Sequence, residues 1–322
     1  MPRCWQKIMP QHKFEMEWAG RPLKIEVGKI AQQTNGSCVA TYGQTSVLAT
    51  VVMSDKQREG TDFLPLMVDY EERFYAAGRI KGSRFIKKEG RPSDEAVLTG
   101  RVVDRSIRPL FSQEIRNDIQ VILTVLSFDN ENDADIVSLI SASCAVAISD
   151  IPWNGPIAGV RVGKVEGEWV LNTTYEARAK SDLDLIVSGT NEKVLMIEAE
   201  GKEVSEEVMF EAIKFAKKHL GEVVAFLKDV QQKIGKEKKN PVIVSEEKDP
   251  VEEKVKNLVE SLTPKYFFAT PLRAKADRSM AKHKLLEAIE EQLTEQGIGK
   301  EKKEKAQNLA GELINKTVAA VM

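Results

Sequence analysis

Apolar and polar residues alternate from Pro22, with Leu23, Ile25 and Val27 on one face, and two further runs follow at 37–42 and 45–52. A period of two predicts strands. Gly43 and Gln44 alone separate the second run from the third, and a Gly-X pair in a two-residue loop predicts a type II′ hairpin, because glycine tolerates positive φ. Residues 119–128 are rich in Val, Ile and Leu and predict a strand buried on both faces, while 133–149 carry small apolar residues at helical spacing. After the break Ile151-Pro-Trp-Asn-Gly-Pro156, strand-like runs return at 157–162, 169–171, 183–187 and 194–198. Ser205 then caps an amphipathic helix predicted to reach about Val230, with Val208, Ala212, Phe215, Ala216 and Leu220 on its inner stripe. Sheet plus helix, twice over, predicts an α+β unit with a second small α/β subdomain.

The pattern changes at Lys233, where Lys, Glu and Gly dominate as far as Pro250, the signature of a solvated connection. Beyond it, 251–262, 271–296 and 301–321 read as helices, broken at Thr263-Pro264 and at Gly297-Ile298-Gly299. The expected organisation is a first subdomain over 12–150, a second over 151–232, a linker over 233–250 and an all-α domain over 251–322. The last helix reaches Met322 without a glycine cap or polar tail, which gives the expectation that the chain is cut from a longer protein. The residues before His12 read as a ragged tail without signal-peptide architecture, and Met9 is an alternative start.

Composition narrows the function classes. At 322 residues, with 42% hydrophobic and 30% charged residues, the chain is globular, and its longest apolar runs fall far short of the roughly 20 residues a bilayer helix requires. A membrane partner is not expected. Cys4, Cys38 and Cys144 are widely spaced, which suggests neither a disulfide framework nor a zinc site and points to a reducing cytoplasm. Lys and Arg total 47 against 49 acids, so bulk charge argues for no nucleic acid and only a local patch can. Such a patch exists: between Arg79 and Arg108 lie nine Lys or Arg residues and four acids.

The first half of that patch sets Phe85 and Ile86 between cations on a glycine-punctuated loop, an arrangement suited to tracking a phosphodiester backbone while an aromatic face stacks on a base. In the second half, Ser93 followed by Asp94 and Glu95 predicts a helix start, and Pro109 its end. At 100° per residue Arg101, Arg105 and Arg108 share a face, with Val102, Val103 and Ile107 opposite. Three guanidinium groups on one face suit phosphate oxygens. Charge pattern alone equally admits a solvated face whose arginines pair with acids such as Asp104.

Gly90-Arg-Pro-Ser-Asp-Glu95, followed by Leu98-Thr-Gly-Arg-Val-Val-Asp-Arg-Ser-Ile-Arg-Pro-Leu-Phe111, resembles the first core domain of the bacterial polynucleotide phosphorylase family. The likeness continues through Val68-Asp-Tyr-Glu-Glu-Arg-Phe-Tyr-Ala-Ala-Gly78 and Val194-Leu-Met-Ile-Glu-Ala199, from about His12 onward. The helical unit resembles that family's linker domain. The resemblance implies a ribonuclease PH-like core of the ribosomal protein S5 domain 2-like type. It implies homotrimeric rings around an RNA channel, and 3′-to-5′ phosphorolysis of single-stranded RNA in mRNA turnover and RNA processing. It also implies Mg, with inorganic phosphate as co-substrate, and partners in an RNA-degradation complex.

The family's catalytic groups and metal ligands belong to a second core, expected beyond this chain, so no catalytic or metal residue is nominated. The resemblance carries over RNA contact at Phe85, Lys87 and Lys88, the constriction loop, where the family more often has Arg, and at Arg91, Arg101, Arg105 and Arg108. Lysine keeps the charge and loses the planar fork, and Ile86 stands where an aromatic is more usual. Asp133 and Asp135 read as helix-start residues rather than metal ligands, His12, His219 and His283 share no motif, and Trp153 reads as a packing anchor. Two other functions stay open: a non-catalytic RNA-binding scaffold, and a self-sufficient small phosphorolytic ribonuclease.

Overall fold

The computed structural model describes residues 10–58, 61, 63–80, 90–239, 250–269 and 275–295, with most of 306–318. The chain divides into two units, Met1–Ile243 and Val244–Met322.

The first unit holds two sheets. Strands β1 (His12–Trp18), β2 (Arg21–Val27), β3 (Gly36–Tyr42), β4 (Thr45–Gln57), β5 (Leu66–Glu71) and β6 (Asn117–Ser127) form one in the order β1-β2-β3-β4-β6-β5. Every pairing in it is antiparallel except β5 with β6. The predicted hairpin closes at Gly43, whose φ is +62°, with Tyr42 opposite Thr45. Asp129 ties that turn to the loop leading into the next helix by accepting from the backbone N–H groups of Gln44 (3.0 Å), Glu131 (2.9 Å) and Asn132 (2.8 Å). Burial pushes the Asp129 carboxyl up, but these donors outweigh it and hold the pKa at about 2.

Helices α1 (Asp94–Ile107) and α2 (Ala134–Ile148) follow in the same layer of the chain. All fifteen residues of α2 are buried, because it packs on β3 and β4 on one side and on the second sheet and its helix on the other. Its small residues permit this. A Cβ added at Gly36 on β3 would sit 2.2 Å from the Ala145 carbonyl oxygen, so strand and helix meet only because that position is glycine. The second sheet comprises β7 (Ala158–Val165), β8 (Glu168–Leu171), β9 (Leu183–Gly189) and β10 (Val194–Gly201), in the antiparallel order β10-β9-β7-β8. A short α3 (Tyr175–Ala179) precedes β9, and α4 (Glu206–Ile234), capped by Ser205, covers β7 and β9 through Ala212, Ala216, Leu220, Val223 and Leu227.

The structure departs from the sequence pattern in four places. β1 and β5 are strands that the pattern left unassigned, and β6 is fully buried on one face only, its other face being half-buried. Helix α4 runs on to Ile234, and the next five residues lie against α2 instead of standing in solvent. Trp153 is a packing anchor as expected: it donates from Nε1 to the Ile107 carbonyl at 3.0 Å and its ring lies 6.0 Å from that of Phe111.

The second unit is described by helices α5 (Pro250–Thr263), a π turn continuing it at Pro264–Phe268, α6 (Lys275–Glu295), and helical residues within 306–318. Val255 and Val259 meet Leu285, Ile289, Leu293, Ala310 and Ile314 in its own small core.

Candidate nucleic-acid interface

Helix α1 begins where Ser93 stops being extended: its Oγ accepts from the Ala96 N–H at 3.0 Å and donates to Glu72 at 2.9 Å. Asp94 and Glu95 occupy the first turn, where the helix dipole favours negative charge. The inner face, Ala96, Gly100, Val102, Val103, Ser106 and Ile107, packs toward β5 and α2. The opposite face is thereby committed to solvent. Arg101 and Arg105 stand on it, exposed, without a hydrogen-bonded or ion-paired partner among the described residues.

Arg108 does something else. It grips Asp104 with two hydrogen bonds, Nε to Oδ2 at 3.0 Å and Nη2 to Oδ1 at 2.7 Å, and donates to the carbonyls of Leu64 (3.3 Å) and Leu66 (2.9 Å). Its fork is occupied in clipping the end of α1 to the start of β5, which leaves it no free pair of donors for a phosphate. Of the three arginines that share a helical face in the sequence, two remain available. Arg91 is exposed and likewise unpartnered among the described residues; Phe85, Lys87 and Lys88 lie outside them.

Two grooves flank α1. One, of about 420 Å³, runs between α1 and β5 and is lined by Met67, Asp69, Glu71, Val97, Arg101 and Arg108. The other, of about 670 Å³, lies at the start of α1 and is lined by Arg73, Phe74, Arg79, Arg91, Pro92 and Ser93. Arg73 is already paired with Glu71. Arg79 and Arg91 thus line the groove at the start of α1, which also holds Glu71 and Glu72, Arg101 lines the one between α1 and β5, and Arg105 stands on the same helix; these exposed cations can hold a polyanion by its phosphates.

A third cavity, of about 570 Å³, has the opposite character. Asp133 caps α2, Asp135 begins its first turn, and Asp184 comes from β9; all three converge on Arg161, which enters from β7. Arg178, on α3, adds a 2.6 Å contact to Asp133 and lies 4.7 Å over the Tyr175 ring. Burial pushes the Asp133 carboxyl up, but Arg161 and Arg178 more than offset it and hold it below the usual carboxylate range. Asp135, more deeply buried and next to the Asp133 charge, is pushed up to about 6. Burial acts to lower the Arg161 pKa, and the three carboxylates reverse that and raise it.

Sequence reasoning read Asp133 and Asp135 as helix-start residues and missed Arg161, Arg178 and Asp184. The signal was an arginine inside the apolar run 157–162 and an aspartate inside 183–187, since a charge within a buried strand demands a partner. No group of three His, Cys, Asp or Glu side chains among the described residues is arranged to hold a metal. The carboxylates that come closest are already neutralised by arginine. Counting its rim, the cavity presents seven carboxylates against three guanidinium groups, a poor host for phosphate.

The three histidines join no site: His12 stacks on Phe14 at 6.4 Å, His219 lies 3.5 Å from Glu222, and His283 lies 3.3 Å from Glu287.

Comparison with known proteins converges on one family. Residues 19–152 match the model for domain 1 of the 3′ exoribonuclease family, and residues 155–219 match the model for its domain 2. The polyribonucleotide nucleotidyltransferase of Rhodopseudomonas palustris (strain TIE-1) is 48% identical over 249 residues, 77% of this chain and 34% of the relative. That of Alkaliphilus oremlandii is 51% identical over 236 residues, 73% of this chain and 33% of the relative. The chain therefore spans about a third of the length of the curated relatives it matches. Among solved structures, rice Rrp46 superposes with a TM-score of 0.53 at 16% identity, covering 70% of this chain and 96% of that one, a likeness of fold.

Proposed function

The chain belongs to the 3′ exoribonuclease family, with a ribonuclease PH-like α/β core and a second, smaller domain, and from that premise we propose that it is the N-terminal portion of a polyribonucleotide nucleotidyltransferase. In this reading the first unit supplies RNA-contacting surface and ring contacts to a homotrimer that shortens single-stranded RNA from its 3′ end in the cytoplasm, phosphate being the attacking group. Residues 12–150 and 151–232 serve as the two subdomains of the core and the helical unit from 251 as the family's all-α domain, while the linker expected over 233–250 is shortened at its start, since α4 reaches Ile234 and 235–239 are bonded to the first unit.

The observation that carries the proposal is the unpaired Arg101 and Arg105 on the outer face of α1, with Arg101 lining the groove between α1 and β5 and Arg79 and Arg91 lining the groove at the start of α1. A guanidinium group without an internal partner holds a phosphate diester at no cost in broken ion pairs, and successive cations along one surface hold successive phosphates. Phe85, Lys87 and Lys88 extend the same basic stretch in sequence and are assigned to RNA contact with them. Arg108 is assigned the supporting role its bonds to Asp104 describe. The cavity around Arg161 does not fit Mg or phosphate, so no chemical step is derived there; metal and phosphate are assigned to parts of the enzyme outside these residues.

Binding of a fluorescent oligoadenylate, titrated against salt, tests this. Arg101→Ala and Arg105→Ala should each weaken binding and reduce the salt dependence by about one released counterion per arginine, a slope change of roughly 0.7 for single strands. Unchanged affinity and slope in both variants removes RNA from this face.

A further inference from the structure

Beyond the last turn of α4 the chain does not leave the first unit. Residues 235–239 cross the C-terminal end of α2, and the backbone N–H groups of Lys236 and Lys239 donate to the carbonyls of Ile148 (3.0 Å) and Asp150 (2.7 Å). Between them Lys238 turns inward. Its ammonium donates to three carbonyl oxygens, those of Val146 (2.9 Å), Ala147 (2.9 Å) and Ser149 (2.8 Å). These lie at the end of α2, which carries the negative end of its dipole; the Val146 carbonyl also accepts from the Ser149 N–H (3.3 Å) and Oγ (2.8 Å). A three-donor cation on a long stem is suited to that crown. Lys236 and Lys239 flank it, reaching the Asn35 carbonyl at 2.6 Å and the Asp150 carboxylate at 2.9 Å. Asp150 is itself held by Asn35 at 2.8 Å.

We propose that residues 235–239 are a strap, locked onto the first unit by the Lys238 ammonium capping the C-terminus of α2, and that it lifts as a unit while α2 and α4 stay folded. The inference is independent of any role in RNA degradation. Two backbone bonds alone would not hold five residues, four of them exposed, against the entropy of releasing them, whereas three charge-assisted bonds in one partly buried site can.

The strap carries its own reporter. Glu237 has its side chain in solvent while the backbone on either side is tied down at Lys236 and Lys239, so a glutamate-specific protease, which must draw several residues of backbone into its cleft, cuts after it faster when the strap lifts. On the full chain, Lys238→Met should raise the rate of cleavage after Glu237 at least about tenfold, and hydrogen exchange should accelerate at the amides of Lys236 and Lys239 while α4 and the body of α2 keep their protection. Lys239→Met, which removes only the exposed pair with Asp150, should raise cleavage by far less. An equal cleavage rate in wild type and Lys238→Met overturns the proposal. So does a loss of protection throughout α2, which would make Lys238 a general support of the fold and not a lock on one segment.

Discussion

Arg161 occupies a strand position where almost any apolar residue would pack, and it is tolerated because three carboxylates meet it there. Its side chain is 7% exposed and that of Asp135 is 9% exposed, so neither charge survives without the other. Asp135 also shows which way the cluster leans. Its pKa in the fold, about 6, lies above that of an aspartate in an unfolded chain, roughly 3.9. Its contribution is therefore fully present below about pH 4 and is lost as pH rises through about 6. Replacing Arg161 with Met strips the cluster of its central cation, strands Asp135 in a buried site and leaves Asp133 and Asp184 to share Arg178. The expected cost at pH 7.5 is about 3–5 kcal/mol, the usual loss for removing one partner of a buried pair. Part of that loss should return at pH 5, where the stranded carboxyl takes up a proton. Urea unfolding at the two pH values checks both statements, and a penalty independent of pH would show that lost packing, not stranded charge, is responsible.

At the scale of elements, what the sequence makes legible is local. The starts of α1 and α4 were readable because a serine with acids behind it states a helix start within four residues, and both serines cap as expected, Ser93 to Ala96 and Ser205 to Val208. Ser93→Ala should cost about 1 kcal/mol of unfolding free energy, and Ser93→Gly only a few tenths, measurable by chemical denaturation. Should the cap matter for presenting arginines, RNA affinity of Ser93→Ala will fall together with helix order, while Ser205→Ala leaves it unchanged. β5 was not legible for a physical reason. Its partner β6 lies some fifty residues away, its pairing is parallel, and as an edge strand it exposes Met67, so its six residues show neither strict alternation nor a continuous apolar run. β1 does alternate, with Phe14, Met16 and Trp18 on one side, but Phe14 and Met16 are only half-buried, which dilutes the signal. Arg108 illustrates the same limit within a helix: periodicity places it beside Arg101 and Arg105, and only tertiary structure shows the carbonyls of Leu64 and Leu66 within its reach.

For the whole molecule, a near-neutral total conceals two separate charged places, one basic and open on α1, one acidic and internally paired around Arg161. The basic place was legible because its charges are contiguous in sequence; the acidic one was not, because Asp133, Arg161, Arg178 and Asp184 arrive from four elements. That division bears on catalysis. Phosphorolysis must bring two anions, inorganic phosphate and the terminal phosphodiester, within bonding distance, which requires surplus positive charge at the point of attack. The cavity around Arg161 has the reverse, and each of its deep arginines is already bound to carboxylates. The open face of α1 has cations, yet among the described residues no carboxylate cluster suited to a metal accompanies them. The isolated chain should therefore bind oligoadenylate in low salt and, given phosphate and Mg, release no nucleoside diphosphate above the protein-free background, as followed by chromatography of the products. Binding with no release is the outcome expected of a surface that guides RNA toward chemistry performed elsewhere. Steady phosphate-dependent release would favour a self-sufficient ribonuclease.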